Sequence, residues 1–387
     1  MVLGAIGSVV IVLLFALLKW QVPLQKEGTY LMPKIRFHGP LRHSIRSMAA
    51  LSMIATSVYA RHALGKKIAP DWDANMEIGI RFWRHQFTTA MAHPDIRKGR
   101  AIYNSLQTLT DDIYEVEMDP KPDGLWVTPK TITTERVLLY FHGGGYTFGG
   151  PNAERFAAML AHHTGARLWM PNYRRTPEHR HPAQIEDARA AWDILTGSVV
   201  PEKIVVIGDS AGAHLALMLL DDLGNSGRVQ PALCIALCPW VDNAERGESM
   251  RTNDHFDLVQ GWMALKFGEW LDPEGRYGRE ALSPIFKDYS GLGPIYLQAG
   301  GREIFRDPAL EFARIQVENG ADVVLDLWDD MPHDFQAYDS MFASSTQALA
   351  RIRTAVHGLA LHPLTDVTRI TSDEFAAAVT DRAPPSV

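Results

Sequence analysis

A β-branched run, Ile204-Val205-Val206-Ile207, breaks at Gly208-Asp209-Ser210-Ala211-Gly212 and gives way to an uninterrupted helix former, Ala211 to Leu220. Few folds accommodate that order. It places a serine on a strained strand-to-helix turn, where a base can reach the hydroxyl and backbone amides can receive an oxyanion. Gly208 and Gly212 keep the turn free of side chains where the backbone bends sharply and the helix packs close to neighbouring strands. The five-residue pattern alone also occurs in ordinary loops. The strand before it and the helix after it make Ser210 a candidate nucleophile.

A second motif lies upstream. Val137-Leu138-Leu139-Tyr140-Phe141 reads as a buried strand and runs into His142-Gly143-Gly144-Gly145-Tyr146. Three glycines let the backbone turn its amides toward one point, as an anionic tetrahedral intermediate requires. The competing reading, a phosphate-cradling loop, needs a Gly-Lys-Ser/Thr that does not follow. The two motifs together make an acyl-transfer site.

At this point the chain resembles the hormone-sensitive-lipase family of α/β-hydrolases, which carries an HGGG loop, a GDSAG elbow and, between them, a segment matched by Tyr173-Arg174-Arg175-Thr176-Pro177-Glu178-His179-Arg180-His181-Pro182-Ala183. Asp187 also fits the pattern. The resemblance covers about residues 110–355 and is weak over residues 25–105. It implies an α/β-hydrolase fold, a mostly parallel sheet with helices on both faces and a helical cap. It also implies a base on the Met331-Pro332-His333-Asp334-Phe335 loop, so His333 is the expected base.

The acid departs from the family. Relatives carry Asp-Pro-Leu-x-Asp after the preceding strand, whereas here Gly300-Gly301-Arg302 is followed by Glu303-Ile304-Phe305-Arg306-Asp307. Aligning Arg306-Asp307 with the end of the motif puts Glu303 at the acid position, a role glutamate fills in this fold. Asp307 is the alternative, although Pro308 marks it as a first-turn residue of a helix. The expected oxyanion donors are Ala211 with Gly144 and Gly145, and Gly143 close by. His142 and Asp209 are expected to hold the loops by hydrogen bonds. No metal or organic cofactor is implied.

The 387 residues, 46% of them hydrophobic, suffice for one large α/β domain with additions. Strand-like runs at 112–118, 124–128, 136–142, 166–171, 203–208, 232–238, 294–299 and 323–328 alternate with helical stretches after about residue 150. This predicts a mostly parallel sheet with an antiparallel edge. A formal charge of −7 argues against a nucleic-acid partner. Cys234 and Cys238, about 13 Å apart on a strand, are too far apart to bridge and have no partner set for zinc.

The N-terminus differs in kind. Val2 to Leu18 carries no charge, and at about 1.5 Å per residue its span of roughly 26 Å approaches a thin hydrocarbon core. It is expected as a transmembrane anchor (residues 1–20), since a cleaved signal peptide would need a basic start and a small-residue cleavage site. Lys19, Lys26, Lys34, Arg36, Arg42 and Arg46 against Glu27 place the following flank in the cytosol. The absence of any Asn-x-Ser/Thr acceptor agrees with that. The expected organisation continues with a linker and N-terminal cap helices (21–110), a catalytic domain (111–362) with a cap insertion at about 244–281, and a C-terminal tail (363–387). Apolar residues at helical spacing, among them Ile45, Met48, Met53, Phe82 and Trp83, mark the N-terminal cap helices.

These readings combine into a single-pass endoplasmic-reticulum membrane protein. It would be a serine esterase hydrolysing carboxylic esters of apolar alcohols or of short to medium acyl chains, with a small hydrophobic ester as its partner. An acyltransferase or amidase would use the same residues. A non-catalytic small-ligand receptor on this fold would lack the base, and His333 is present.

Overall fold

The computed structural model describes residues 24–26, 29–31, 35–108 and 113–366. The chain divides into two compact units, one of residues 1–114 with 340–343 and one of residues 115–339 with 344–387.

The smaller unit is built on α1 (Leu41–Ala63), α2 (Ala74–Met91) and α3 (Ile96–Tyr103). Asp73 caps α2 by accepting the Met76 amide. Leu51, Ala55 and Val58 of α1 pack on Ile78 and Phe82 of α2 and on Leu106. Buried polar groups in this unit are paired, as they must be. Ser47 bonds to Ser105 and Gln86, and Glu77 meets His62 and Arg81, each at 2.8 Å. The helical spacing expected here matches α1 and α2, but Ile45 and Met53 of that stripe are 61% and 68% exposed.

The membrane expectation is corrected. Val2 to Leu18 lies outside the described residues, and among those described no helix is long and apolar enough to cross a membrane. The longest, α1 with 23 residues, carries Arg42, Arg46 and Arg61 and buries Ser44 and Ser47, a pattern of an amphipathic packing helix. The single-pass, endoplasmic-reticulum placement therefore falls. The argument from location for apolar esters loses its premise with it.

The larger unit holds an eight-stranded sheet of β1 (Val116–Lys121), β2 (Gly124–Pro129), β3 (Val137–Phe141), β4 (Arg167–Pro171), β5 (Ile204–Asp209), β6 (Leu233–Leu237), β7 (Ile295–Gly300) and β8 (Val323–Trp328). The spatial order is β8-β7-β6-β5-β3-β4-β2-β1. Strands β3 to β8 run parallel, and β2 is antiparallel to β4 and β1. All residues of β3, β5, β6 and β7 are buried, which is why these segments read as continuous apolar runs. Helices α4 (Pro151–Thr164), α5 (Ala183–Thr196), α6 (Ala211–Asn225), α7 (Gly261–Leu271), α8 (Arg306–Glu318) and α9 (Ala343–Val356) connect or follow the strands.

The parallel sheet and its antiparallel edge match the sequence pattern. The first strand, expected at 112–118, instead starts at Val116 and runs through Pro120. That proline is tolerated because β1 pairs on one side only. The expected tail begins by bonding to the opposite edge of the sheet. The Leu364 amide donates to Asp326 and the Leu327 amide to Thr365 Oγ1, each at 3.0 Å, so residues 364–365 shield β8. Both cysteines are buried and free.

Register positions the site. Phe141 at the end of β3 lies opposite Gly208, and Leu237 at the end of β6 lies opposite Asp209. The glycine loop, the elbow and the loop after β6 thus emerge together at the carboxyl edge of the sheet.

Candidate active site

Ser210 joins β5 to α6 with φ 54° and ψ −117°, a strained conformation for a residue with a Cβ. Its amide donates to Leu237 O at 2.8 Å, and its carbonyl accepts the His214 amide at 3.1 Å. The flanking glycines are sterically required. A Cβ on Gly208 would lie 2.3 Å from the Gly212 backbone, and one on Gly212 would lie 1.9 Å from Phe141 O. The elbow therefore presses α6 directly onto the end of β3.

The glycine loop turns through Gly144 (φ 102°), Gly145 (φ 60°) and Tyr146 (φ 58°). Asp209 ties it to the elbow, its Oδ1 accepting the Tyr140 hydroxyl at 2.6 Å and the Gly143 amide at 2.9 Å. Gly143 is thereby committed, which narrows the expected oxyanion donors to the amides of Gly144, Gly145 and Ala211. His142 donates Nδ1–H to Gly143 O at 2.7 Å, and Tyr173 bonds to His142 O at 2.7 Å. Burial depresses His142 to about 4, so its ring is neutral and holds the loop. On the far side, Tyr146 donates to His214 Nδ1 at 2.6 Å, and His214 Nε2 donates to Leu282 O at 2.7 Å. From α7, Phe267 lies against Gly145, where a Cβ would come within 2.4 Å of the ring.

His333 follows β8 and Glu303 follows β7. Both are buried, and His333 Nδ1 donates to Glu303 Oε2 at 2.6 Å. The other glutamate oxygen accepts the Gly300 amide at 2.8 Å. His333 Nε2 is buried without a hydrogen-bond partner; the bond to Ser210 is not made in this structure, as is common before substrate binds. Asp334 Oδ2 stands 3.5 Å from that nitrogen. Burial opposes charging the ring, but the carboxylates of Asp334, Glu303 and Asp257 outweigh it and raise His333 to about 10.

Asp307, the alternative acid, sits elsewhere. Its Oδ2 accepts the Ser249 amide at 2.8 Å, and its own amide donates to Ser249 Oγ at 3.1 Å, so it docks the insertion onto the first turn of α8. Two carboxyl groups escaped sequence reasoning, Asp257 fully buried and Asp334 partly so. Asp334 occupies the variable position of the Pro-His-x-Phe loop, and Asp257 lies in an insertion read for its aromatic residues. Cys238, Glu303 and His333 bring possible metal ligands within 4.8 Å of one another. They do not suit an ion: burial and nearby carboxylates push the Cys238 thiol well up, so it stays protonated, and Glu303 and His333 are engaged with each other.

Comparison with known proteins agrees with this geometry. Residues 138–337 match a family described as alpha/beta hydrolase fold. An acetyl-hydrolase of Streptomyces hygroscopicus is 33% identical over 243 residues, covering 59% of this chain and 79% of that protein. An esterase of Acinetobacter venetianus is 27% identical, covering 70% of this chain and 95% of that protein. The crystal structure of an esterase from the bacterial hormone-sensitive lipase family superposes with a TM-score of 0.61 at 26% identity, covering 80% of this chain and 98% of the other.

Proposed function

The chain belongs to the hormone-sensitive-lipase family of α/β-hydrolases and is a carboxylic ester hydrolase, and we propose that Ser210, His333 and Glu303 carry its reaction. Ser210 Oγ attacks the ester carbonyl while His333 Nε2 takes its proton. The oxyanion is received by the amides of Gly144, Gly145 and Ala211. His333 then protonates the leaving alcohol, and the acyl group stays on Ser210. Water, deprotonated by His333, attacks the acyl-enzyme; the acid is released as the bond to Ser210 Oγ breaks, and His333 returns the proton to that oxygen. Glu303 fixes the tautomer and orientation of the ring and stabilises the imidazolium.

The observation that carries this reading is the 2.6 Å bond between the buried side chains of His333 and Glu303, taken with the strained elbow that holds Ser210 at φ 54°. The substrates we propose are esters of short to medium acyl chains. Phe267, packed on Gly145, supports the acyl limit, because an apolar wall stands directly behind a proposed oxyanion donor.

The test is turnover by the purified chain across p-nitrophenyl esters of increasing acyl length, with fluorophosphonate labelling in parallel. Activity should be greatest on acetate to butyrate, and Ser210→Ala should lose both turnover and labelling. Turnover surviving that substitution would remove Ser210 from the reaction.

A further inference from the structure

His333 and Glu303 stand on loops after two different strands, so their 2.6 Å bond depends on how those loops are held together. Asp257, between the short helix Ser249–Thr252 and α7, is fully buried and touches both. Its Oδ2 accepts the amide of Ile304, next to Glu303, at 2.7 Å. Its Oδ1 accepts the amide of His333 itself at 3.2 Å and that of Leu258 at 2.7 Å. Asn253, from the same segment, donates to the carbonyls of Glu303 at 3.0 Å and Gly301 at 3.2 Å. The acid loop is thus gripped through both its donors and its acceptors by one stretch of the insertion.

We propose that Asp257 is a positioning residue for the esterase reaction, a single carboxylate that sets the spacing of the acid and base loops and makes the His333–Glu303 pair depend on the seating of the insertion. A buried carboxylate is expensive unless hydrogen-bonded, and bonds from amides to a charged acceptor are stronger than neutral ones. Spending them on the two backbones that must stay in register is a reason to retain the charge there. The titratable groups facing Asp257 are His333, Glu303, Asp334, Tyr338 and Cys238. Burial raises the Asp257 carboxyl to about 7 despite its amide bonds, so its charge is complete only above neutrality, where it favours the His333 imidazolium formed in the reaction.

The inference rests on the Ser210–His333–Glu303 reading, and the experiment separates the two. Asp257→Asn keeps the shape but removes the charge and turns an amino group either toward the Ile304 amide or toward the amides of His333 and Leu258. The full chain carrying it should keep KM for p-nitrophenyl butyrate within about twofold and lose ~10- to 100-fold in kcat, the scale of a small misplacement of reacting groups. Its acid limb in kcat/KM should move to lower pH, because a negative charge beside the imidazolium is gone. Wild-type kcat with an unmoved limb overturns the proposal. Ser210→Ala, measured alongside, addresses the triad alone, and activity surviving there would sink that reading whatever Asp257 does. If Asp257→Asn does not fold, Asp257→Glu decides. It keeps the charge on a longer stem, so fluorophosphonate labelling should slow with the acid limb in place, and wild-type labelling overturns the proposal.

Discussion

Glu303 divides its two oxygens between its own strand and the ring it serves, Oε1 accepting the Gly300 amide at 2.8 Å and Oε2 accepting His333 Nδ1 at 2.6 Å. A carboxylate anchored this way has one orientation, and it fixes which ring nitrogen carries the proton. Glu303→Gln presents an amide where an acceptor is needed or leaves the ring to flip its tautomer. The expected result is a loss of ~10²- to 10⁴-fold in kcat with the fold intact. Asp307→Asn should keep most of kcat and lower the melting temperature, because Asp307 accepts the Ser249 amide and does not touch the ring. The reverse outcome would move the acid one helical turn along the chain.

The pH profile follows from the carboxylates around His333. The ring must be neutral to accept the serine proton, and it is raised from 6.5 to about 10, so kcat/KM should climb well above neutrality. Burial pushes the Asp334 carboxyl itself well up, but it is charged by the time the ring loses its proton, so Asp334→Asn should shift that limb to lower pH. The sign for stability is opposite. A raised histidine contributes stability that is complete below 6.5 and is lost as pH rises through about 10. Activity and stability should therefore diverge across that window, and a profile already flat at pH 7 would contradict the carboxylate cluster.

Gly145 has two reasons to be glycine, its φ of 60° and a Phe267 ring carbon 2.4 Å from where a Cβ would sit. Gly145→Ala should push the loop and α7 apart and misaim an amide. A loss of ~10²- to 10³-fold in kcat is the scale for one oxyanion donor. Adding Phe267→Ala relieves the clash but leaves the backbone strain. The double variant should recover part of the loss and accept longer acyl chains, read on the p-nitrophenyl ester series; no recovery would show that strain alone matters.

What could be read from the sequence was local. The runs Val137 to Phe141 and Ile204 to Ile207 announce buried parallel strands because both faces of the sheet are covered, and the glycines after each announce turns where side chains do not fit. The expectation of Glu303 in place of an aspartate came from the resemblance, by aligning Arg306-Asp307 with the end of the family's motif. Asp257 was invisible because its partners are backbone amides 47 and 76 residues away. The commitment of Gly143 to Asp209 was hidden for the same reason, with 66 residues between them. The membrane expectation rested on hydropathy in a segment outside the described residues, and α1, the longest helix described, does not have the composition to support it.

Asp209 offers a prediction about stability. Burial raises its carboxyl from 3.8 to about 6, against the opposing bonds from Tyr140 and Gly143. A group raised on folding contributes stability that is fully present below its unfolded value and is lost as pH passes its folded one. Above about pH 6 the native state therefore carries a buried charge between the elbow and the glycine loop. Asp209→Asn keeps the Oδ1 acceptor for both partners and removes that charge. The stability of the variant relative to wild type, from urea unfolding, should improve as pH rises from 3.8 to about 6 and stay level above that. Asp209→Ala, by contrast, strands a buried hydroxyl and a buried amide, and should cost about 1–3 kcal/mol for each at any pH. A difference between Asp209→Asn and wild type that does not change with pH would mean that the carboxyl titrates normally and that the elbow carries its charge without strain.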